Sequence, residues 1–343
     1  MKTHLNTLFV TTQGAYLARE GEAVLVRVEG ETKMRVPIHT LSGIVSFGQV
    51  GCSPPLMHLC GEKGVAISFL SEQGRFLGRV EGAISGNVLL RRGQFRWADS
   101  LEKSAAVALP IVTAKVANCR TVLQRALRDR RDYAAAADVE RAVAALRQTL
   151  GDLMPGVALD VLRGTEGDAA RTYFGVFGHL IAAQKEDFAF SGRNRRPPLD
   201  NMHALLSFLY ALLGHDARSA LQGVGLDPAV GYLHRDRPGR PGLALDLMEE
   251  FRPFIADRLA LSLVNLRQVQ GRGFQKSESG AVKMDDDTRK AVLMAYQKRK
   301  QEKIVHPFLG ERMTVGMVVH IQARLLAKFL RGELDGYPPF IWK

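Results

Sequence analysis

Ala-Val-Leu-Val-Arg-Val, at residues 23–28, is the run that decides how the first part of the chain folds. β-Branched side chains pack well on the pleated surface of a sheet, so this run predicts a strand. Similar short runs, punctuated by glycine, recur through the first 95 residues and predict a β-rich domain. They lie at residues 7–12, 34–37, 44–47, 65–70 and 76–80. One helix is expected among them, because Ser53-Pro54-Pro55 is typical of a helix start and Gly61 of a helix stop.

From about residue 97 onward, apolar residues recur with the 3.6-residue period of helices. These helical patterns cover residues 100–130, 135–150, 157–184, 198–222 and 243–270. The change of period predicts an α+β protein with a β-rich domain at 1–95 and a mainly α-helical domain at 96–343. The length of 343 residues also favours two domains.

Smaller elements are expected near the end of the chain. Phe274–Met284 has the pattern of a small hairpin. Asp286 or Asp287 is expected to cap the basic helix that follows. A last helix is expected at residues 315–331.

The charge balance and the cysteines restrict the class of protein. A formal net charge of +12 favours a polyanionic partner, nucleic acid before an anionic membrane surface, although it also fits a merely basic soluble protein. Cys52, Cys60 and Cys119 form no CxxC pair, so neither a disulfide framework nor a zinc ribbon is indicated. We expect a cytoplasmic protein without signal peptide or membrane span, since Ala204–Leu213, its longest strongly apolar helical stretch, is about half of a span.

The segment from Tyr232 to Pro253 combines three kinds of side chain suited to phosphodiester chemistry at a metal ion. His234 stands on a basic, Gly/Pro-rich loop directly before a helix rich in carboxylates. The carboxylates are Asp246, Glu249 and Glu250, and the loop cations are Arg235, Arg237 and Arg240. Carboxylate oxygens with one imidazole suit Mg²⁺ or Mn²⁺ better than structural zinc. Such a cation could polarise a phosphoryl oxygen and neutralise charge in the transition state.

The three carboxylates of this segment stand at positions i, i+3 and i+4, so they could line one surface within a helical turn. Neighbouring carboxylates repel each other unless a cation lies between them, so a partly buried site requires a metal or an arginine. The alternative is a solvated acidic face paired with Arg252 and Arg258.

A further carboxylate, Glu166, interrupts an apolar helical stripe. Its neighbours on that face are Leu162, Ala169, Ala170 and Tyr173. A buried carboxylate must be paired, protonated or bound to a metal, because its desolvation is otherwise too costly. Glu166 is therefore a candidate ligand from a second helix, and the alternative is an interhelical salt bridge to an arginine. Asp168 falls on the far face and is expected to be solvated.

Basic clusters frame the candidate site and are spaced to contact a DNA backbone rather than to read bases. They include Arg193, Arg195 and Arg196, and the loop cations Arg235, Arg237 and Arg240. The sequence contains no GxxxxGK[ST], HExxH or GxSxG motif. P-loop nucleotide hydrolysis, zincin proteolysis and serine hydrolysis therefore lose support.

An ordered series of motifs resembles the family of CRISPR-associated integrases, DNA endonucleases that insert new spacers into CRISPR arrays. The resemblance runs over essentially the whole chain. Its motifs are Leu41-Ser42-Gly43-Ile44, residues 164–174, Arg195-Arg196-Pro197-Pro198 through Asn201 to Phe208, Gly231-Tyr232-Leu233-His234, residues 243–253 and Tyr337-Pro338-Pro339-Phe340. Each motif is modest alone, but the ordered series is specific.

The resemblance implies a β domain that mediates dimerisation and a helical domain that is catalytic. It places the family's metal-binding acid on Glu166, its histidine on His234 and its last acidic ligand on Glu249, with Asp246 as the accompanying acid. Many relatives carry aspartate at the last position, so Glu249 departs from the pattern by one methylene. The implied cofactor is Mg²⁺ or Mn²⁺, and the implied partners are DNA, a second copy of the chain and a small ferredoxin-like adaptation subunit.

The implied reaction is strand transfer, in which the 3′-hydroxyl of a captured DNA fragment attacks a phosphodiester at the boundary of a CRISPR repeat. A rival enzyme is a structure-selective nuclease that uses water instead. A rival from another class is a basic scaffold that binds nucleic acid without chemistry, its acids paired to arginines.

Overall fold

A computed structural model describes residues 6–72, 76–80, 82, 88–129, 135–190, 192, 197–278 and 280–342. The chain divides into two compact units, Met1–Gly86 and Asn87–Lys343. This division lies before the boundary near residue 95 that the sequence predicts. The reason is that Val88–Ala98 forms a helix, which packs on other helices of the second unit.

The first unit contains two four-stranded sheets in its described part. The strands are β1 (Asn6–Val10), β2 (Tyr16–Glu20), β3 (Ala23–Val28), β4 (Glu31–Pro37), β5 (Leu41–Phe47), β6 (Gly51–Cys52), β7 (Ala66–Leu70) and β8 (Phe76–Val80). One sheet has the order β1-β5-β7-β8, with β1, β5 and β7 parallel and β8 antiparallel. The other has the order β4-β3-β2-β6, antiparallel except for the pair of β2 and β6. A buried apolar cluster that includes Leu17, Val24, Ile44 and Ile67 forms the core of this unit.

The helix expected in this unit is α1 (Pro54–Lys63), and the hydroxyl of Ser53 accepts a hydrogen bond from the N–H of Leu56. Its predicted end at Gly61 was wrong, because the helix continues to Gly64. Gly64 has the left-handed φ of 65° that glycine adopts without strain. Gly61 instead permits close backbone packing, since a Cβ there would lie 2.8 Å from the Cα of Gly82.

The second unit is mainly helical, which confirms the α+β class. Its helices are α2 (Val88–Ala98), α3 (Leu101–Asp129), α4 (Ala136–Asp152), α5 (Leu159–Phe177), α6 (Asn201–Gly223), α7 (Gly242–Glu249), α8 (Arg258–Asn265), α9 (Asp286–Gln301) and α10 (Val315–Leu330). Two antiparallel hairpins join β9 (Phe274–Lys276) to β10 (Val282–Met284) and β11 (Lys303–Val305) to β12 (Arg312–Thr314). Helix α3 packs against α4, α5 and α7, so it lies at the centre of this unit.

Two predictions in this unit need correction. The single helix expected at 243–270 is broken into α7, a π-helical segment Arg252–Asp257 and α8. Pro253 has no N–H to donate to the preceding turn, which explains why regular α-helical hydrogen bonding stops there. The cap of α9 is Asp285, whose side chain accepts a hydrogen bond from the N–H of Thr288 at 2.8 Å, instead of Asp286 or Asp287.

Helix α3, rather than Ala204–Leu213, is the one described helix long and apolar enough to cross a membrane by length and composition. Some 61% of its most apolar 18-residue window is buried inside the protein. A central core helix passes the same test, and α3 carries a buried lysine, Lys115, near its middle.

The cysteines are free thiols, as the sequence predicts. Burial raises the pKa of Cys52 to about 11 and that of Cys60 to about 12, so both thiols stay protonated near neutral pH.

Candidate functional site

The histidine loop lies directly against the start of α7. A Cβ on Gly231 would lie 2.9 Å from the carbonyl carbon of Gly242, and a Cβ on Gly242 would lie 2.9 Å from the nitrogen of Gly231. Only two glycines permit the two backbones to approach this closely. The loop therefore turns back over α7, as expected from the Gly/Pro-rich sequence.

Asp246 anchors this loop from α7. Its carboxylate accepts hydrogen bonds from the backbone N–H groups of Tyr232 (2.6 Å), Leu233 (3.1 Å) and His234 (2.9 Å). It has no exposed surface. Both carboxylate oxygens are engaged within the protein, so Asp246 positions the loop and is not free to bind a further group.

Asp246 also orients the imidazole of His234. The Nδ1 of His234 lies 2.6 Å from Oδ1 of Asp246. Because an ionised carboxylate only accepts hydrogen bonds, Nδ1 is the donor and Nε2 is the ring nitrogen left for another partner. Nε2 faces Glu249, whose Oε1 lies 3.9 Å away.

Three helices bring two carboxylates and one ammonium group together. Lys115 of α3 contacts Glu166 of α5, and its Nζ lies 2.6 Å from Oε2 of Glu249 at the end of α7. Glu249 also forms an ion pair with Arg252, whose guanidinium lies 3.0 Å from Oε1 of Glu249. Glu166 and Glu249 therefore share the ammonium of Lys115, and His234 approaches Glu249. We call these four residues and Arg252 the Lys115 cluster.

Access to the Lys115 cluster is one-sided. The side chains of Lys115 and Glu249 are 5% and 2% exposed, whereas those of Glu166 and His234 are 24% and 19% exposed. A solute can therefore reach the cluster past Glu166 and the imidazole. The alternative of a solvated acidic face on α7 was wrong, because all three of its carboxylates are buried.

The cations decide the ionisation of the cluster. Burial alone would raise the pKa of Glu249, but Arg252 and Lys115 offset burial and lower the pKa to about 2. Burial likewise opposes the charge on Lys115, but the carboxylates of Glu249 and Glu166 raise its pKa above the ordinary value. Both members of the buried pair are therefore charged at neutral pH.

The residues present fit a divalent cation in charge and in donor type. Within the described residues, no group of three or more His, Cys, Asp and Glu already stands in metal-binding geometry, because the ammonium group of Lys115 occupies the centre. The Oε2 of Glu249 is buried and, in the part of the chain that the structure describes, makes no hydrogen bond beyond that ion-pair contact. Two carboxylates and one imidazole nitrogen are donors that suit Mg²⁺ or Mn²⁺. Glu166 is paired to a lysine, not to the arginine of the alternative hypothesis.

Glu250 lies neither at the Lys115 cluster nor on a solvated acidic face. It is fully buried on the side of α7 away from the Lys115 cluster, where the hydroxyl of Tyr337 donates to Oε1 at 2.6 Å. Burial raises its pKa to about 7. Asp168 is exposed and paired with Arg171, as expected.

The arginines proposed to bind DNA have different surroundings. Arg235 is exposed and pairs with Asp160 at 3.0 Å. Arg237 is exposed and Arg240 is half-buried. Arg193, Arg195 and Arg196 lie outside the described residues.

Sequence reasoning missed three residues that build the site. Lys115 interrupts the apolar stripe of α3 as Glu166 interrupts that of α5, so the same argument could have found it. Arg163 donates to the carbonyl oxygens of Leu233 and Tyr232, and Gln94 binds the backbone of residues 227–230. No local pattern marks these last two, because they are polar residues whose partners are backbone groups distant in sequence.

Comparison with known proteins adds independent information. The family model described as CRISPR associated protein Cas1 matches residues 8–298. CRISPR-associated endonuclease Cas1 1 of Chlorobaculum tepidum is 52% identical over 343 residues, covering all of both chains. A chain of a Cas6-RT-Cas1–Cas2 complex has a TM-score of 0.82 at 22% identity, over 99% of this chain and 36% of that chain. A casposase bound to integration product has a TM-score of 0.81 at 20% identity, over 99% of this chain and 95% of that chain.

Proposed function

The chain belongs to the Cas1 family of CRISPR-associated proteins, and we propose that it is a metal-dependent DNA endonuclease and integrase that inserts short DNA fragments into CRISPR arrays. The observation that carries the proposal is the convergence of Glu166, His234 and Glu249 on one partly accessible, charged centre. The endonuclease name of a relative identical at 52% of positions and the fold shared with a casposase support it.

In this proposal Glu166, Glu249 and the Nε2 of His234 hold Mg²⁺ or Mn²⁺. When bound, the cation supplies positive charge that polarises a phosphoryl oxygen and stabilises the charge of the transition state. The protein contributes the fixed orientation of its donors. Asp246 keeps the proton of His234 on Nδ1, and Arg252 and Lys115 keep Glu249 ionised.

The proposed reaction is a phosphodiester exchange. The 3′-oxygen of a DNA fragment forms a bond to the phosphorus at a repeat boundary, and the bond from that phosphorus to the leaving strand breaks. Positioning and electrostatic stabilisation suffice for such a displacement, so no covalent enzyme intermediate is needed. Arg235, Arg237 and Arg240, which flank His234 in sequence, are proposed to contact the DNA backbone, together with Arg193, Arg195 and Arg196.

We further propose that the first unit mediates dimerisation and the second catalysis. A small ferredoxin-like subunit is the proposed second partner. A solved complex of Cas1 with Cas2 contains a chain of the same fold, which supports an assembly of this kind.

The test is a strand-joining assay with a labelled fragment, a repeat-containing target, the partner subunit and Mg²⁺ or Mn²⁺. Glu166→Ala and His234→Ala are expected to lower the single-turnover rate at least a hundredfold, since each removes a proposed donor to the cation. Asp168→Ala is the matched control, because Asp168 lies on the same helix as Glu166 but is exposed and paired only to Arg171 within the described residues.

Wild-type rates in Glu166→Ala or His234→Ala would overturn the proposal. Time courses that separate joined from merely cut products distinguish an integrase from a nuclease that uses water. A non-catalytic scaffold would show steep salt dependence of DNA binding and no metal-dependent product.

A further inference from the structure

The segment Tyr337–Trp342 packs behind the Lys115 cluster. It follows α10 and contacts the end of α7, the middle of α3 and the π-helical segment. The ring of Phe340 is fully buried, 5.2 Å from the ring of Phe251 and 5.1 Å from that of Phe254. We call residues 337–342 the strap.

Glu250 is the first anchor of the strap. Its carboxylate accepts hydrogen bonds from the hydroxyl of Tyr337 at 2.6 Å and from the backbone N–H of Phe340 at 2.7 Å. Gln322 of α10 donates to the same carboxylate at 3.1 Å and to the Tyr337 oxygen at 2.8 Å. A buried carboxyl group with several donors holds its backbone in one position, because any shift would leave buried polar groups without hydrogen-bond partners.

Asn118 of α3 is the second anchor. Its side-chain N–H groups donate to the backbone carbonyls of Glu250 at 2.8 Å and Phe340 at 2.9 Å. Its carbonyl oxygen accepts from the N–H of Trp342 at 2.8 Å. Asn118 stands one helical turn after Lys115, so one turn of α3 contacts both the Lys115 cluster and the strap.

Two arginines clamp the end of the strap. The guanidinium of Arg125 lies 3.7 Å from the ring centroid of Trp342, and that of Arg258 lies 4.2 Å from it. Cation–π contacts of this kind add favourable energy at a partly exposed position. The strap is therefore bound through Tyr337, Phe340 and Trp342 to α3, α8, α10, the π-helical segment and the end of α7.

The arrangement has a consequence for Glu249. Helix α7 has eight residues and is followed by a π-helical segment, so its end is not fixed by a long regular helix. Glu249 and Glu250 are adjacent, and one carboxylate faces the Lys115 cluster while the other binds the strap. Fixing Glu250 therefore fixes the direction of Glu249.

We propose that the strap positions Glu249 relative to Lys115 and Glu166, with Glu250, Asn118 and Tyr337 as positioning residues. The inference rests on the proposed function of the Lys115 cluster. A small misplacement of a proposed metal-binding carboxylate costs rate steeply, so the strap sets the rate of strand joining rather than the affinity for DNA.

The test compares Tyr337→Phe with Tyr296→Phe in the strand-joining assay. Both tyrosines are buried, and each hydroxyl donates to a carboxylate, that of fully buried Glu250 for Tyr337 and that of Asp216, whose side chain is 14% exposed, for Tyr296. Tyr337→Phe is expected to lower the single-turnover rate constant about tenfold, with unchanged reaction amplitude and DNA affinity. Its Mn²⁺ affinity is expected to fall as well. Tyr296→Phe is expected to keep the wild-type rate constant and Mn²⁺ affinity.

The fluorescence of Trp342 measures docking of the strap. The measurement uses a Trp97→Phe background, in which Trp342 is the remaining tryptophan. Displacement of the strap in Tyr337→Phe would overturn the inference if the rate constant and the Mn²⁺ affinity stayed unchanged. The same outcome in Trp342→Leu, where proteolysis measures the displacement, would also overturn it. Equal losses in Tyr337→Phe and Tyr296→Phe would also overturn it, since they would show a general effect of stability. Wild-type rates in Glu166→Ala would instead refute the proposed function, and Mn²⁺ affinity would still report on the strap.

Discussion

Two buried lysine clusters of the second unit are built from similar parts but differ in how their charges are satisfied. Lys300 lies 2.9 Å from Oδ1 of Asp216, whose Oδ2 accepts a hydrogen bond from Tyr296 at 2.7 Å. Both oxygens of that carboxylate have partners, and one positive charge balances one negative charge. In the Lys115 cluster two carboxylates, Glu166 and Glu249, share the ammonium of Lys115, Arg252 pairs with the other oxygen of Glu249, and the imidazole of His234 lies 3.9 Å from it.

The difference separates a structural ion pair from a candidate site. A satisfied pair such as that of Lys300 holds α6 to α9 and offers no group to a ligand. The Lys115 cluster adds a second carboxylate, Glu166, and a partly exposed imidazole to the buried pair, so it offers donor groups that a ligand can reach. Accessible donor groups beside a buried ion pair mark a candidate site more clearly than burial alone does.

The largest expected effect comes from removing each lysine. Lys115→Met and Lys300→Met are each expected to lower the free energy of unfolding by about 3–5 kcal/mol without metal, because each removes the lysine partner of carboxylates that are at most a quarter exposed. Saturating Mn²⁺ is expected to restore part of the loss in Lys115→Met and none in Lys300→Met. Chemical denaturation with and without Mn²⁺ measures both, and an equal response of the two variants would remove the distinction between the clusters.

A pH effect is expected from Asp257, which lies behind the Lys115 cluster and accepts a hydrogen bond from Tyr210 at 2.6 Å. Burial raises its pKa from 3.8 to about 6. Between these values the folded state holds a proton that the unfolded state has lost. Raising the pH from 4 to 6 therefore lowers the contribution of this group to stability, by about 2 kcal/mol.

Asp257→Asn is expected to abolish this part of the pH dependence. The variant should gain stability relative to the parent protein as the pH rises from 4 to 6, and the gain should level off above 6. Denaturation curves across this range measure the difference. A difference between the two proteins that does not change with pH would contradict the assignment to Asp257.

The smallest expected effect separates a carboxylate that positions His234 from one that only balances the charge of Lys300. Asp246→Asn is expected to lower the single-turnover rate ten- to a hundredfold, because an amide no longer fixes the proton of His234 on Nδ1. Asp216→Asn changes the same atoms in the Lys300 cluster and is expected to leave the rate of the folded protein unchanged. Equal rate losses in the two variants would show that Asp246 contributes only to stability.

Much of the fold could be predicted from local patterns. Ala23–Val28 and Phe76–Val80 are strands with the predicted bounds, and α3 follows its predicted range within one residue. The strand Tyr16–Glu20 escaped prediction because its burial pattern does not alternate. The break at residues 252–257 escaped prediction because helical periodicity continues through Pro253.

The candidate site could be predicted only in part. Glu166, His234 and Glu249 carry local signals, namely a charge in an apolar stripe and an imidazole beside a carboxylate-rich helix. The opposite directions of Glu249 and Glu250 could not be predicted, since they depend on which neighbours cover each side of α7.

The sequence by itself determined the α+β class, the order of its elements and which charged residues interrupt apolar faces, because these depend on residue type and short-range spacing. The tertiary structure decided that Lys115 meets Glu166, 51 residues away, and that Asn118 joins Glu250, 132 residues away, to the strap. Such pairings follow from how helix faces pack against one another. A local pattern specifies which face is buried, but only the packed fold specifies what that face is buried against.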